Sequence, residues 1–247
     1  GSLSDTTYQN QIYTFARMLS ISRPDFYNDD LGAFQRNSQE LGRGAMKGRE
    51  KLMWLTILNP ALTGTFWLTA AAAASAGNGA VANRITGAGA PDVADLEAAE
   101  LLMKQMEDQK GDPVMISPDA VLSGTALGKK FENLLVRRTT SISDANLAAG
   151  TASTSLRVED SYLGRFGHVE SPYMDARTSI PGSSDSLWFL LGDKDYPAFE
   201  YATLRGEPSP HIESASTDFN TEGTQIKVRW DYGFNQQNPR GMVRVEA

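Results

Sequence analysis

The chain has 247 residues, 40% apolar and 21% charged, a balance that allows a substantial core in one large or two smaller domains and excludes overall disorder. Thirty acidic against 23 basic side chains give a net charge of −7, so no general basic surface attracts nucleic acid through its phosphates. The absence of cysteine removes disulfides, thiolate metal sites and a cysteine nucleophile together.

Gly1 and Ser2 read as the remnant of a cleaved tag, with no charged and apolar leader behind them. Residues 12–22 set Tyr13, Phe15, Leu19 and Ile21 at alternate positions, which predicts a strand with one apolar face, interrupted by Arg17. Asn28, followed by Asp29 and Asp30, predicts a helix start, because its side chain can cap free amides while the acids favour the positive end of the dipole. The helix should run to about Leu58 and end before Pro60, a length on the order of 45 Å. Leu31, Phe34, Leu41, Ala45, Leu52 and Leu55 form its apolar stripe, with Arg36, Glu40, Lys47 and Glu50 mostly off it. Gly42, Gly44 and Gly48 each cost about 1 kcal/mol in a helix interior and so predict close backbone packing or a bend.

No charged residue occurs in 52–83, but Asn59, Pro60, Gly64, Gly77 and Gly79 break the stretch, so no membrane span is expected. Burial within the subunit or against a neighbour accounts for it. The Ala/Gly-rich segment 70–90 reads equally as a short helix or a loop. Asp92 predicts the cap of a second helix with Leu96, Ala99, Met103 and Met106 on one face, closed by Gly111 after Lys110. Asp112 and Pro113 then turn the chain into a short strand, 114–116. A third helix over 125–136 would place Leu127, Phe131, Leu134 and Leu135 on one side. The Ser/Thr/Ala/Gly-rich stretch 139–155 reads as an exposed loop. Strands follow: 187–191 is continuously apolar, as in a strand covered on both faces. In the last long strand Ile226, Val228, Trp230, Tyr232 and Phe234 alternate with Gln225, Lys227, Arg229 and Asp231, giving one apolar and one polar face. Asn238, Pro239, Arg240 and Gly241 turn the chain into a final strand, 242–246.

The chemistry-bearing motifs are weak. His168 and His211 each precede a carboxylate at i+2, Glu170 and Glu213, a spacing seen in zinc deaminases, but the accompanying cysteine element is absent. Asp218, Asn220, Glu222 and Gly223 mimic half of a calcium loop, yet Arg229 stands where a bidentate glutamate belongs, so a hairpin turn is the better reading. GTALGKK, 124–130, lacks the spacing and the Ser/Thr of a phosphate loop. GSSDS from Gly182 is not a nucleophile elbow. No catalytic, cofactor-binding or metal residue is assigned, and no cofactor is expected.

Three segments carry a resemblance: SRPDFYNDDLGAF (22–34), DPVMISPDAVLSGTALGKKFENLL (112–135), and WFLLGDKD (188–195) followed by FNTEGTQIKVRWDYGFNQQNPRG (219–241). In order and spacing they resemble major capsid proteins of tailed bacteriophages with the Hong Kong 97-type fold, especially the branch of Mu-like head subunits. The resemblance implies an α+β fold with a long spine helix, a peripheral domain and an inserted axial domain. On that pattern 1–88 would hold the remnant of an N-terminal arm and extended loop, the spine helix and the first part of the peripheral domain. Residues 89–210 would be the axial domain, and 211–247 the C-terminal strands of the peripheral domain. It also implies self-assembly into pentamers and hexamers of an icosahedral head in the virion, built in a bacterial cytoplasm. Scaffold, maturation protease and portal are the implied partners, with packaged DNA held without sequence-specific binding. Only 27 residues precede Asn28, too few for both the arm and the extended loop of that family at full length. Two other readings are an encapsulin-like nanocompartment shell, which shares the fold, and a hydrolase using Ser, Asp or Glu.

Overall fold

In a computed structural model of the chain, residues 8–22, 33–76, 81–87, 90–108, 110–135, 162–216 and 223–246 are described. The predicted cap at Asn28, the loop 139–155 and the turn residues 218–222 lie outside them. In chain order the elements are β1 (Tyr13–Ser22), α1 (Ala33–Ile57), α2 (Ala70–Ala76), β2 (Arg84–Thr86), α3 (Val93–Lys104), β3 (Pro118–Ser123), α4 (Thr125–Leu135), β4 (Gly167–Glu170), β5 (Trp188–Gly192), β6 (Phe199–Thr203), β7 (His211–Ser216), β8 (Gly223–Gln236) and β9 (Met242–Glu246). They group into two compact units, Gly1–Ile57 with Phe199–Gln237, and Leu58–Ala198 with Asn238–Ala247. This grouping cuts the chain at 57/58, 198/199 and 237/238, whereas the family pattern would cut it at 88/89 and 210/211.

The first unit is a four-stranded antiparallel sheet with α1 against it. β8 is its axis: β1 pairs along one edge, and β6 and β7 follow one another along the other. The alternation in β1 and β8 works as predicted, since Phe15 opposes Trp230 and Arg17 opposes Val228. Phe15 and Tyr232 stack with centroids 4.5 Å apart, and the Arg49 guanidinium of α1 lies 5.0 Å from the Trp230 ring and 5.6 Å from Tyr201. The polar side of β8 is less open than its sequence suggests: Asp231 is buried, with Arg229 Nε 3.6 Å away. α1 runs 25 residues without a break, and Asn59 caps the 3₁₀ turn Pro60–Leu62 that follows.

The second unit is a five-stranded mixed sheet in the order β2-β9-β5-β3-β4. Trp188 and Leu190 of β5 enter the core with Val243 and Val245 of β9, joined by Leu96, Ala99 and Met103 of α3 and Leu127, Phe131 and Leu135 of α4. Phe189 points to the other face, where Trp67 covers it at 5.5 Å between centroids. Both faces of β5 are thus packed, which is why its sequence is continuously apolar.

The Ala/Gly-rich segment contains helix α2, as one reading had it, and strand β2, which neither reading expected. Asp92 caps α3 through a capping box with Asp95, as expected at Asp92. The helix ends at Lys104, however, and not at Gly111. Met106 and Val114 are joined by a backbone bond, and Asp108 Oδ1 accepts from the amides of Lys110 and Asp112, so Gly111, at φ 86°, sits in a tight turn. The predicted strand 114–116 is also corrected: Met115 has φ 54° and is 77% exposed, and the strand forms at β3.

Candidate functional site

Three places in the described residues bring chemistry-bearing or open surfaces together, and each lies within one unit. One is a groove of about 320 Å³ in the first unit between α1 and the β1–β8 pair. Phe15, Val228, Trp230 and Tyr232 form its sheet side, and Leu41, Leu52 and Leu55 its helix side. Gly44 and Gly48 leave it open: a Cβ at Gly44 would meet nothing within 4 Å, and one at Gly48 only the Tyr232 hydroxyl at 3.9 Å. The groove carries Arg17 and Lys51 but no carboxylate. It can receive an apolar side chain.

The second place resembles a hydrolase triad. Ser123 Oγ, at the end of β3, lies 2.9 Å from Nε2 of His168 on β4, and His168 Nδ1 lies 3.9 Å from Glu170 Oε1. Burial argues against catalysis there. Ser123 Oγ has two neighbours in hydrogen-bond reach, His168 Nε2 at 2.9 Å and Gly124 O at 3.2 Å, and its proton can go to either. Ser123 is 0% exposed, away from any substrate. Burial lowers the His168 pKa, with Glu170 and Glu132 opposing the shift, which favours the neutral ring. His168 stacks at 5.5 Å on Phe131 and fastens the edge strand β4 to β3. The other histidine, His211, is exposed, with Nε2 3.6 Å from Glu213.

The third is an ionic hub. Glu100 sits on the buried side of α3 and accepts from Lys104 Nζ at 2.6 Å, Tyr162 Oη at 2.8 Å and Arg165 Nη2 at 2.7 Å. Burial raises the Glu100 pKa, but the bonds from Lys104, Tyr162 and Arg165 outweigh it and the net shift is downward. Burial and the Glu100 charge push Tyr162 up to about 12, so it stays a donor. With Gly164 N bonded to Leu135 O at 2.8 Å, the hub pins residues 162–165 beside the end of α4. Its role is to hold the fold. Glu100 and Lys104 are i,i+4 neighbours on one helix, whereas spacing gives no way to pair Tyr162 or Arg165 with Glu100.

The other motifs resolve structurally. Gly124 precedes α4, whose free amides receive Asp175: Thr125 Oγ1 donates to Oδ2 and Ala126 N lies 3.4 Å from Oδ1. A Cβ at Gly124 would come within 2.5 Å of that carboxylate, so the glycine makes room for a cap and not for a phosphate. In the GSSDS stretch Gly182 has φ 81°, Ser183 bonds Ile180 O, and Asp185 accepts from Ala176 N, which together form a turn. Among the described residues no group of three His, Asp or Glu side chains is placed to hold a metal ion. No described helix is long and apolar enough to cross a membrane.

Residues 6–245 match the sequence model of a family described as phage capsid protein. Among solved structures, the capsid of the cyanophage P-SCSP1u is 13% identical, with a TM-score of 0.57 over 99% of this chain and 80% of that one. The capsid of Ralstonia phage GP4 is 10% identical, with a TM-score of 0.59 over 96% and 73%. The holo-SrpI encapsulin complex from Synechococcus elongatus is 12% identical, with a TM-score of 0.52 over 95% and 73%. At these identities the structures share the fold. None of the curated proteins matches the sequence.

Proposed function

Because this chain belongs to the phage capsid protein family, we propose that its copies assemble as pentamers and hexamers into a closed icosahedral head around phage DNA. It is a major capsid subunit, a structural component of the virion that associates with itself. The family match over 6–245 carries this reading, and the fold agrees: a long helix against a two-faced strand makes a stiff plate, and repeated copies of a plate can close by symmetry. The unit built on α1 and β8 would be the peripheral domain. The five-stranded unit would be the axial domain, with residues 58–198 inserted between the two chain segments of the first and its last strand, β9, following them. Scaffold, maturation protease and portal would act on this subunit during assembly in the host cytoplasm.

No catalytic role is proposed. The arrangement nearest to one, at Ser123 and His168, has its serine buried, away from any substrate. The acidic balance of −7 fits a wall that confines DNA without gripping it. A second reading, an encapsulin-like shell, rests on the structural match to the encapsulin complex.

The test is the mass of the purified chain by size-exclusion chromatography with light scattering, with electron microscopy of the same fractions. Rings, tubes or closed shells are the expected result. Shells recovered with an enclosed cargo enzyme and no portal would select the encapsulin reading. Monomers that hydrolyse ester or peptide substrates, with activity lost in Ser123→Ala, would overturn both shell readings.

A further inference from the structure

Among the described residues the longest edge strand is β1, and its outer side has no strand partner there. Every second residue of such an edge directs its N–H and C=O away from the sheet, which makes it a template for pairing. Proteins usually blunt such edges with bulges, prolines, several charges or shortness. β1 uses none of these. It is ten residues long, runs without a register shift against β8, contains no proline and carries one charge, Arg17. Tyr13, Phe15 and Met18 are 54%, 39% and 58% exposed.

We infer that β1 pairs with β1 of a second copy of this chain, antiparallel across a two-fold axis at Met18, joining two four-stranded sheets into one. The inference deepens the capsid reading and rests on it, because identical copies must meet for the edge to be used. The register follows from symmetry and charge. A two-fold axis perpendicular to the sheet makes the contact isologous, with residue i facing j and j facing i. Directly opposed residues of an antiparallel pair point to the same face, so odd positions must face odd ones if both apolar faces are to stay together. Of the registers that satisfy this, the two with the greatest overlap place the axis at residue 17 or residue 18. An axis at Arg17 sets one guanidinium directly against its copy, and like charges so placed are destabilising. An axis at Met18 sets Met18 against Met18, Arg17 against Leu19 and Ala16 against Ser20, with no like-charged pair.

The lack of native cysteine makes the test direct. In the full chain, Met18→Cys should give covalent dimers on oxidation or with a short bismaleimide. Ala16→Cys and Ser20→Cys should each give few alone and many when mixed. Met18→Glu and Met18→Lys should each lower dimer formation at least ten-fold with melting temperature unchanged, while an equimolar mixture restores it. Shells that form without the 18–18 cross-link, or cross-linking that is equal at all three positions alone, would overturn the pairing and leave the capsid reading standing. Cross-linked dimers that never build shells would support the pairing and count against the capsid reading. Neither shells nor cross-links would overturn both.

Discussion

Glu100 shows how one residue can commit a fold to a range of pH. Its side chain is 8% exposed, beside Leu96, Ala99 and Met103, and stays ionised because Lys104, Tyr162 and Arg165 all donate to it. Its folded-state pKa lies below the ordinary value of 4.5, so the folded state binds its proton less readily than the unfolded chain. The stabilisation is therefore present above about pH 4.5 and is lost as pH falls through that value and below it. Glu100→Gln keeps the shape but removes the charge, leaving Arg165 and Lys104 without their carboxylate. We expect it to cost about 1–3 kcal/mol at pH 7 by urea denaturation and to flatten the loss of stability between pH 5 and pH 3. An unchanged acid limb would show that other carboxylates govern it.

Among the elements, α1 carries a deliberate weakness. Gly42 and Gly44 lie in its interior, yet a Cβ at either would meet nothing within 4 Å. Of the two readings the sequence suggested for these glycines, close packing or a bend, close packing therefore does not account for Gly42 and Gly44 among the described residues. Gly42→Ala and Gly44→Ala should each stabilise the chain by up to about 1 kcal/mol, read as a rise in melting temperature. If Gly44→Ala raises that temperature and yet impairs assembly, the groove beside it is used by another copy. A fall in melting temperature would count against open space at these positions.

The same comparison shows which elements a sequence can announce. β8 was legible because one of its faces is covered, at Val228, Trp230 and Tyr232, and β1 because its alternation continues that face opposite Trp230 at Phe15. The start of α3 was legible because Asp92 and Asp95 are local partners. Its end was not: Met103 and Met106 keep helical spacing and both are buried, but the turn around Asp108, and not the helix, places Met106. The candidate sites were hidden for a related reason. Ser123 and His168 are 45 positions apart, and only the parallel pairing of β3 with β4 brings them together. The groove had no signal beyond the glycines of α1.

At the scale of the whole molecule, charge decides how readily copies meet. Each carries a net charge of −7, and a shell concentrates many such copies within a few ångströms of one another. Screening matters over that range, since the Debye length shrinks from about 30 Å at 0.01 M salt to about 10 Å at 0.1 M. Contacts formed by apolar surface, such as the exposed Phe15 and Met18 of β1, lose little on screening, whereas the overall repulsion weakens. Raising salt from about 0.02 to 0.5 M should therefore move the purified chain toward larger assemblies, followed by light scattering at constant protein concentration. The opposite trend, disassembly on adding salt, would mean that complementary charge patches hold the copies together, and would move attention from the β1 edge to the charged polar face of β8.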